Sequence, residues 1–215
     1  MKNGYIMFDL DGTLTDSKAG ILNGIKFAIS QYEIYTIETE KLISCIGSPL
    51  RSIFNNFFHL DDKATEKAID RFHQYYSEIG LYENTIYDGV NNLLERICVN
   101  NRLIVATGKS VYYAEAILKH FGLYQYFDCI SGSQSQKGIT SKSQIINDAI
   151  TRVHGINTSN SIMVGDRKHD IYAAREIGIK SIGVLYGYGS YKELSNVGAD
   201  YLVAKVDDLF TILTE

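Results

Sequence analysis

Asp9 and Asp11 stand two residues apart at the end of an apolar run, in the string YIMFDLDGTLTD that spans residues 5–16. Along an extended strand, side chains at i and i+2 share a side. Both carboxylates can therefore face one reaction centre, while Gly12 lets the chain turn sharply away. Two carboxylates 4 Å apart repel by about 4 kcal/mol at an effective dielectric of 20. Such a pair is relieved by a cation, by a proton, or by both. Taken alone, the same residues also suit a plain strand-ending turn, so partners elsewhere in the chain have to decide.

Those partners recur after each later β-like run. Thr107 and Gly108 follow RLIVA (102–106), Gly165 and Asp166 follow SIMV (161–164), and Asp170 comes one helical turn later. In an open parallel sheet, ligands bind at the carboxyl ends of the strands, so these residues are expected at one edge. Lys142 opens a helical stripe ahead of SIMV, where a cation opposes the helix dipole but suits an anion held above the sheet. Lys137 is read as a solvated loop residue. Each feature has a plain alternative, a strand-ending turn or an acidic helix start, but the shared order at successive strand ends favours a site. The chemistry that such a set would suit is phosphoryl transfer. An aspartate can attack phosphorus, a second carboxyl can protonate the leaving oxygen and then activate water, and a hard divalent cation, Mg²⁺ above all, can bind both carboxylate and phosphate oxygens. The Thr107 hydroxyl, the Gly108 N–H and the Lys142 ammonium would neutralise the transferred group.

The elements that must position these residues follow from periodicity. Short β-like runs at 102–106, 129–131, 161–164, 181–185 and 201–204 alternate with helical stripes, which implies a parallel sheet with crossover helices. Roughly seventy residues separate the first strand from the second, far more than the ~12 a simple crossover needs. The insert carries helical stripes of its own, at Ile21 to Tyr32, Leu50 to Phe57 and Ala68 to Ile79. The expected fold class is α/β, a Rossmann-like parallel sheet core (1–15 and 86–215) with an inserted α-helical cap domain (16–85) of about four helices. The single proline, Pro49, sits in the turn Gly47-Ser48-Pro49-Leu50, where it can start a helix.

Composition narrows the partners. A chain of 215 residues with net charge −4 and no basic cluster argues against nucleic acid. No apolar run approaches the ~18 residues of a membrane span, so a cytoplasmic protein without membrane partners is expected, as a monomer or weak homodimer. Cys45, Cys98 and Cys129 are widely spaced in apolar contexts and read as buried reduced thiols. The five histidines are too scattered for a zinc site. Gly187-Tyr188-Gly189 mimics the start of a dinucleotide fingerprint, but Lys192 takes the place of its third glycine, and NAD is rejected. Lys109, Arg167 and His169 read as surface or supporting residues.

In Asp9-Leu10-Asp11-Gly12-Thr13, Ala106-Thr107-Gly108-Lys109, Lys142, and Gly165-Asp166-Arg167-Lys168-His169-Asp170, the chain resembles the haloacid dehalogenase superfamily of phosphatases. GTLTDSKAGILNGI, the cap turn IGSPL and the tail SIGVLYGYGS look most like phosphoglycolate phosphatase-type members. The resemblance implies Asp9 as nucleophile, Asp11 as acid/base, and Thr107 and Lys142 as phosphate ligands. It also implies Mg²⁺ on the Asp9 and Asp166 carboxylates and the Asp11 carbonyl. Asp170 would support from nearby, binding Lys142 or a metal-bound water, and Gly12, Thr13 and Gly108 would face the phosphate. Gly108 departs from the serine of many relatives, which removes a side-chain contact and keeps the backbone donor.

Among cap cations Lys18, Lys26 and Arg51, only Lys18 and the Ser48–Arg51 turn are taken as substrate contacts. Hinges near Asp16 and Tyr82 to Tyr87 would let the cap open for substrate and close against water. Such a cavity suits a small phosphorylated metabolite. The leading reading is a Mg²⁺-dependent phosphomonoesterase, with 2-phosphoglycolate first and a nucleoside monophosphate close behind. Alternatives are a 5′-nucleotidase or a sugar phosphomutase on the same scaffold. A different class is a phospho-aspartate switch, which needs neither the long insert nor the second aspartate.

Overall fold

Six strands, β5 (Cys129–Ser133), β4 (Arg102–Ser110), β1 (Tyr5–Phe8), β6 (Ser161–Gly165), β7 (Lys180–Val184) and β8 (Tyr201–Val203), line up in parallel in that order. The computed structural model describes residues 4–32 and 39–214; the expected core and cap ranges also contain residues 1–3, 33–38 and 215, which lie outside the described residues. Central β1 is flanked on both sides, with Phe8 opposite Val105 of β4 and Val164 of β6. Chain order reverses at β1, the switch point where open α/β sheets bind ligands.

Both faces of the sheet are covered, as parallel sheets require. Met7, Ile104, Ala106 and Met163 pack with Ile145, Ile146 and Ala149 of α7 (Lys142–Arg152) and Ala173 and Ala174 of α8 (Lys168–Ile177). The alternate residues Ile6, Phe8, Leu103 and Val105 are equally buried. The remaining helices of this unit are α5 (Val90–Ile97), α6 (Val111–His120), α9 (Tyr191–Asn196) and α10 (Val206–Thr214). Strand β4 runs four residues past the expected RLIVA. Its pairing with β5 shifts register between Thr107 and Ser110, an irregularity of the β-bulge kind.

The chain divides into two compact units, Met1–Asp16 with Ile86–Glu215, and Ser17–Thr85. The segments linking them, β2 (Thr15–Asp16) and β3 (Thr85–Ile86), pair as a two-stranded sheet. The second unit contains α1 (Lys18–Ile29), α2 (Thr39–Ser44), α3 (Leu50–Ser52) and α4 (Asp62–Tyr75). Helix α3 runs into a π turn, Ile53–Phe57, and α4 into another, Tyr76–Gly80. Pro49 sits one residue before α3. The second π turn corrects one expectation. An unbroken α-helix would bury Ile79 beside Phe72 and Tyr76, but the wider turn rotates the phase, leaving Ile79 49% exposed and burying Gly80 instead.

Among the described residues, no helix is long and apolar enough to cross a membrane. Cys129 is buried, whereas Cys45 and Cys98 are half-buried rather than fully enclosed, and all three are free thiols.

Candidate active site

Asp9 is the first residue beyond β1, and its backbone N–H donates to Val164 O of β6 at 2.9 Å. That bond continues the sheet and holds the aspartate at the switch point. Gly12, three residues on, has φ of +83°. A side chain there would be strained, and its Cβ would stand 2.3 Å from Asp166 Oδ2. The Asp-x-Asp-Gly string therefore needs glycine both for its turn and for the close approach of Asp166.

Lys142 is delivered from the opposite direction. Ser141 caps α7 in a reciprocal box with Gln144, a feature worth about 1 kcal/mol, and this fixes Lys142 as the first helical residue. Its ammonium donates to Ala106 O at 3.0 Å and lies 3.0 Å from Asp9 Oδ1 and 2.7 Å from Asp170 Oδ1. Burial alone would lower the pKa of this lysine, but Asp170 and Asp9 outweigh it and drive the value up. Lys137, by contrast, is exposed on a separate short turn.

Asp166 and Asp170 close the site from the start of α8. Asp166 is fully buried; its Oδ2 accepts the Tyr188 N–H at 2.7 Å and its Oδ1 accepts a long 3.4 Å bond from Thr13 Oγ1. Burial raises its pKa well above the usual carboxylate range, helped by Asp170 and Asp9. Asp170 Oδ2 accepts the Arg167 N–H at 3.0 Å. Burial pushes its pKa up to about 6, against the pull of Lys142. Thr107 is also buried, with its Oγ1 accepting the Lys109 N–H at 3.2 Å.

Lys109 takes the supporting place of the two that the sequence offered, surface or supporting. Its side chain is only 8% exposed and its ammonium lies 3.1 Å from Asp11 Oδ2. Arg167 instead binds Glu193 at 3.0 Å, and His169 is exposed. Gly108 is exposed, with open space where a Cβ would stand. Lys18 opens α1 and Arg51, ion-paired with Glu66, belongs to α3, so both lie in the helical unit rather than in the convergent set.

Tyrosines supply contacts that the sequence reading did not identify. Tyr186 hydroxyl donates to Thr13 O at 3.0 Å, and the Tyr188 hydroxyl lies 3.0 Å from Asp16 Oδ1. Tyr87 packs edge-on against Tyr186 with centroids 4.9 Å apart. Burial raises the pKa of both Tyr87 and Tyr186, so both stay neutral phenols. The only sequence signal for this group was the Gly187-Tyr188-Gly189 string.

The donor set fits a hard divalent cation. Carboxylate oxygens of Asp9, Asp166 and Asp170 lie within 4.8 Å of one another. Buried Asp9 Oδ1, Asp11 Oδ1 and Asp170 Oδ1 accept no well-directed hydrogen bond, even where Lys142 is close. Lys109 pairs with Asp11, and one Lys142 ammonium is shared between Asp9 and Asp170. An all-oxygen cluster with surplus negative charge suits Mg²⁺.

Comparison with known proteins agrees with this geometry. Residues 6–184 match the model of the haloacid dehalogenase-like hydrolase family. A 5′-nucleotidase of Pseudomonas aeruginosa is 35% identical over 88% of this chain and 86% of its own length. The tyrosine-protein kinase PtkA of Mycobacterium tuberculosis is 34% identical over 86% of this chain, which spans only 62% of that protein. A predicted phosphatase of Clostridium acetobutylicum superposes with a TM-score of 0.92 at 37% identity, covering 100% of this chain and 99% of the other. Phosphoglycolate phosphatases also match, at lower identity. The chain belongs to the haloacid dehalogenase-like hydrolase family and is an enzyme of its phosphatase type.

Proposed function

We infer that the protein hydrolyses the phosphate monoester of a small metabolite through a phosphoryl group carried on Asp9. The observation that carries this reading is the meeting of Asp9, Asp166 and Asp170 at the carboxyl ends of β1 and β6, with the Lys142 ammonium shared between Asp9 and Asp170. Asp9 is held by its backbone bond to β6, so its carboxylate can attack phosphorus without reorganising. One Asp9 oxygen bonds to phosphorus while the ester P–O bond breaks. Asp11, beside Lys109 rather than in the carboxylate cluster, gives its proton to the leaving oxygen. The same carboxylate then takes a proton from water, the water oxygen attacks phosphorus, and Asp9 is released with inorganic phosphate. Thr107, the Gly108 N–H and Lys142 hold the equatorial phosphate oxygens, and Thr13 steadies Asp166.

Mg²⁺ would be held by Asp9, Asp166 and the Asp11 carbonyl, with Asp170 alongside, and it would offset charge on the transferring group. Lys142 is shared between Asp9 and Asp170, which keeps the nucleophile aligned when the phosphate is absent. We assign Lys18 and Arg51 to substrate recognition by the helical unit, and a reducing cytosol suits the three free thiols.

For the substrate, the higher identity to a 5′-nucleotidase than to phosphoglycolate phosphatases favours testing nucleoside monophosphates as early as 2-phosphoglycolate. The test is a panel of both classes, with sugar phosphates, assayed for phosphate release with Mg²⁺ and with EDTA. Release that requires Mg²⁺ supports the reading. A long-lived phosphoprotein without turnover would favour a switch instead, and transfer between sugar positions without phosphate release would favour a mutase.

A further inference from the structure

The segment Leu185-Tyr186-Gly187-Tyr188-Gly189-Ser190 follows β7 and has no role in the chemistry above. It is tied down at both ends. Leu185 N–H donates to Val203 O of β8 at 2.9 Å. Ser190 caps α9, and Glu193 of that helix accepts from both Arg167 Nε and Lys168 N at the start of α8. Between these anchors, Tyr186 binds Thr13 O and Tyr188 reaches Asp16. The turn thus spans from the nucleophile loop to the helix that follows Asp166.

Its glycines are required by that fit. A Cβ on Gly187 would stand 2.2 Å from Gly12 O and 2.4 Å from Asp166 Cβ, and one on Gly189 would stand 1.8 Å from Asp166 O. No real Cβ approaches backbone so closely, so any side chain at either position forces the turn away. What the contact secures is a single short bond, from the Tyr188 N–H to Asp166 Oδ2 at 2.7 Å. The other oxygen, Oδ1, accepts a longer 3.4 Å bond from Thr13, and it is the more loosely held of the two toward a cation.

We propose that the Gly187-Tyr188-Gly189 turn is a positioning element for the metal carboxylate, in which the Tyr188 N–H engages Asp166 Oδ2 and so fixes which oxygen Asp166 presents to the cation. Groups that orient a metal ligand typically change affinity 10–100-fold when removed. The Tyr188 phenol, 3.0 Å from Asp16 Oδ1, helps locate the turn. The inference rests on the divalent-cation reading of the site.

The test uses Mn²⁺ as a paramagnetic probe, with free ion counted by electron paramagnetic resonance in the full-length protein without substrate. An amide-to-ester exchange at Tyr188 deletes the N–H alone, and Gly189→Ala displaces the turn by ordinary mutagenesis. The ester form is expected to raise the Mn²⁺ Kd at least tenfold, with Gly189→Ala similar or worse. Tyr188→Phe, which keeps the N–H, is expected to stay within about threefold of the native value. Equal Kd in native and ester forms would overturn the proposal, whatever the folding of Gly189→Ala. An equal loss in Tyr188→Phe would also overturn it, by assigning the effect to the phenol. Native protein that binds no Mn²⁺ would instead refute the cation reading beneath it.

Discussion

Lys109 Nζ lies 3.1 Å from Asp11 Oδ2, with the two side chains only 8% and 14% exposed. A mostly buried cation beside the proposed acid/base aligns that carboxyl and offsets its charge. Lys109→Met should lower kcat by about 10–100-fold, up to the lower end of the roughly 10²–10⁴-fold that general acid–base catalysis contributes, with a smaller change in KM. Steady-state kinetics on the best substrate of the panel would check this. A variant with native kcat would reduce Lys109 to a structural residue.

Lys142 holds two carboxylates, so its removal should harm the fold as well as catalysis. Lys142→Met leaves Asp9 and Asp170 facing each other without their ammonium. Breaking a buried pair in this way costs about 3–5 kcal/mol. Urea unfolding of the metal-free protein should show a loss of that order, with the turnover of Lys142→Met reduced at least as severely.

Asp170 makes stability depend on pH in a definite direction. Burial raises its folded-state pKa from 3.8 to about 6, so between these values the native state binds more protons than the unfolded chain. Stability from this group is then complete below about pH 4 and is lost as pH rises through about 6. Asp166 shifts the same way. Compared with Asp170→Asn in EDTA, the native protein should lose ground from pH 4 to pH 6.5, by up to about 3 kcal/mol. Unfolding titrations across that range would show it, and a difference independent of pH would contradict the assignment.

Two glycines in the site should respond oppositely to substitution. Gly108 has open space at its Cβ position, so Gly108→Ser should alter stability by less than about 1 kcal/mol and preserve turnover. Gly12 combines φ of +83° with a Cβ position 2.3 Å from Asp166 Oδ2. Gly12→Ala should cost about 1–3 kcal/mol in strain alone and remove most activity. Thermal melts and initial rates on both variants provide the comparison.

What could be read from the sequence was local. The parallel α/β core followed from alternating short strands and helical stripes, and the placement of Lys142 followed from the stripe it opens, where Ser141 and Gln144 form the capping box. The long-range features were hidden. Lys109 meets Asp11 of a different loop, and nothing in RLIVATGKS marks that contact. The turn after β7 meets Asp166 across 22 residues and Asp16 across 172, so its glycines looked like a failed fingerprint instead of room for close packing. Ile79 sat on a regular helical stripe, and only the π turn shows why the phase breaks there. Residues whose role depends on their own element were legible, whereas those whose role depends on another element's path were not.

The central claim is that Asp9 carries the phosphoryl group during turnover. Native protein turning over its best phosphomonoester with Mg²⁺ should be quenched in acid within milliseconds, digested, and mapped by mass spectrometry. The account predicts a phosphoryl group on Asp9 in the peptide containing residues 5–16, and none in Asp9→Asn, which should also release almost no phosphate. Full activity in Asp9→Asn, or a phosphoryl group trapped on another residue, would contradict it.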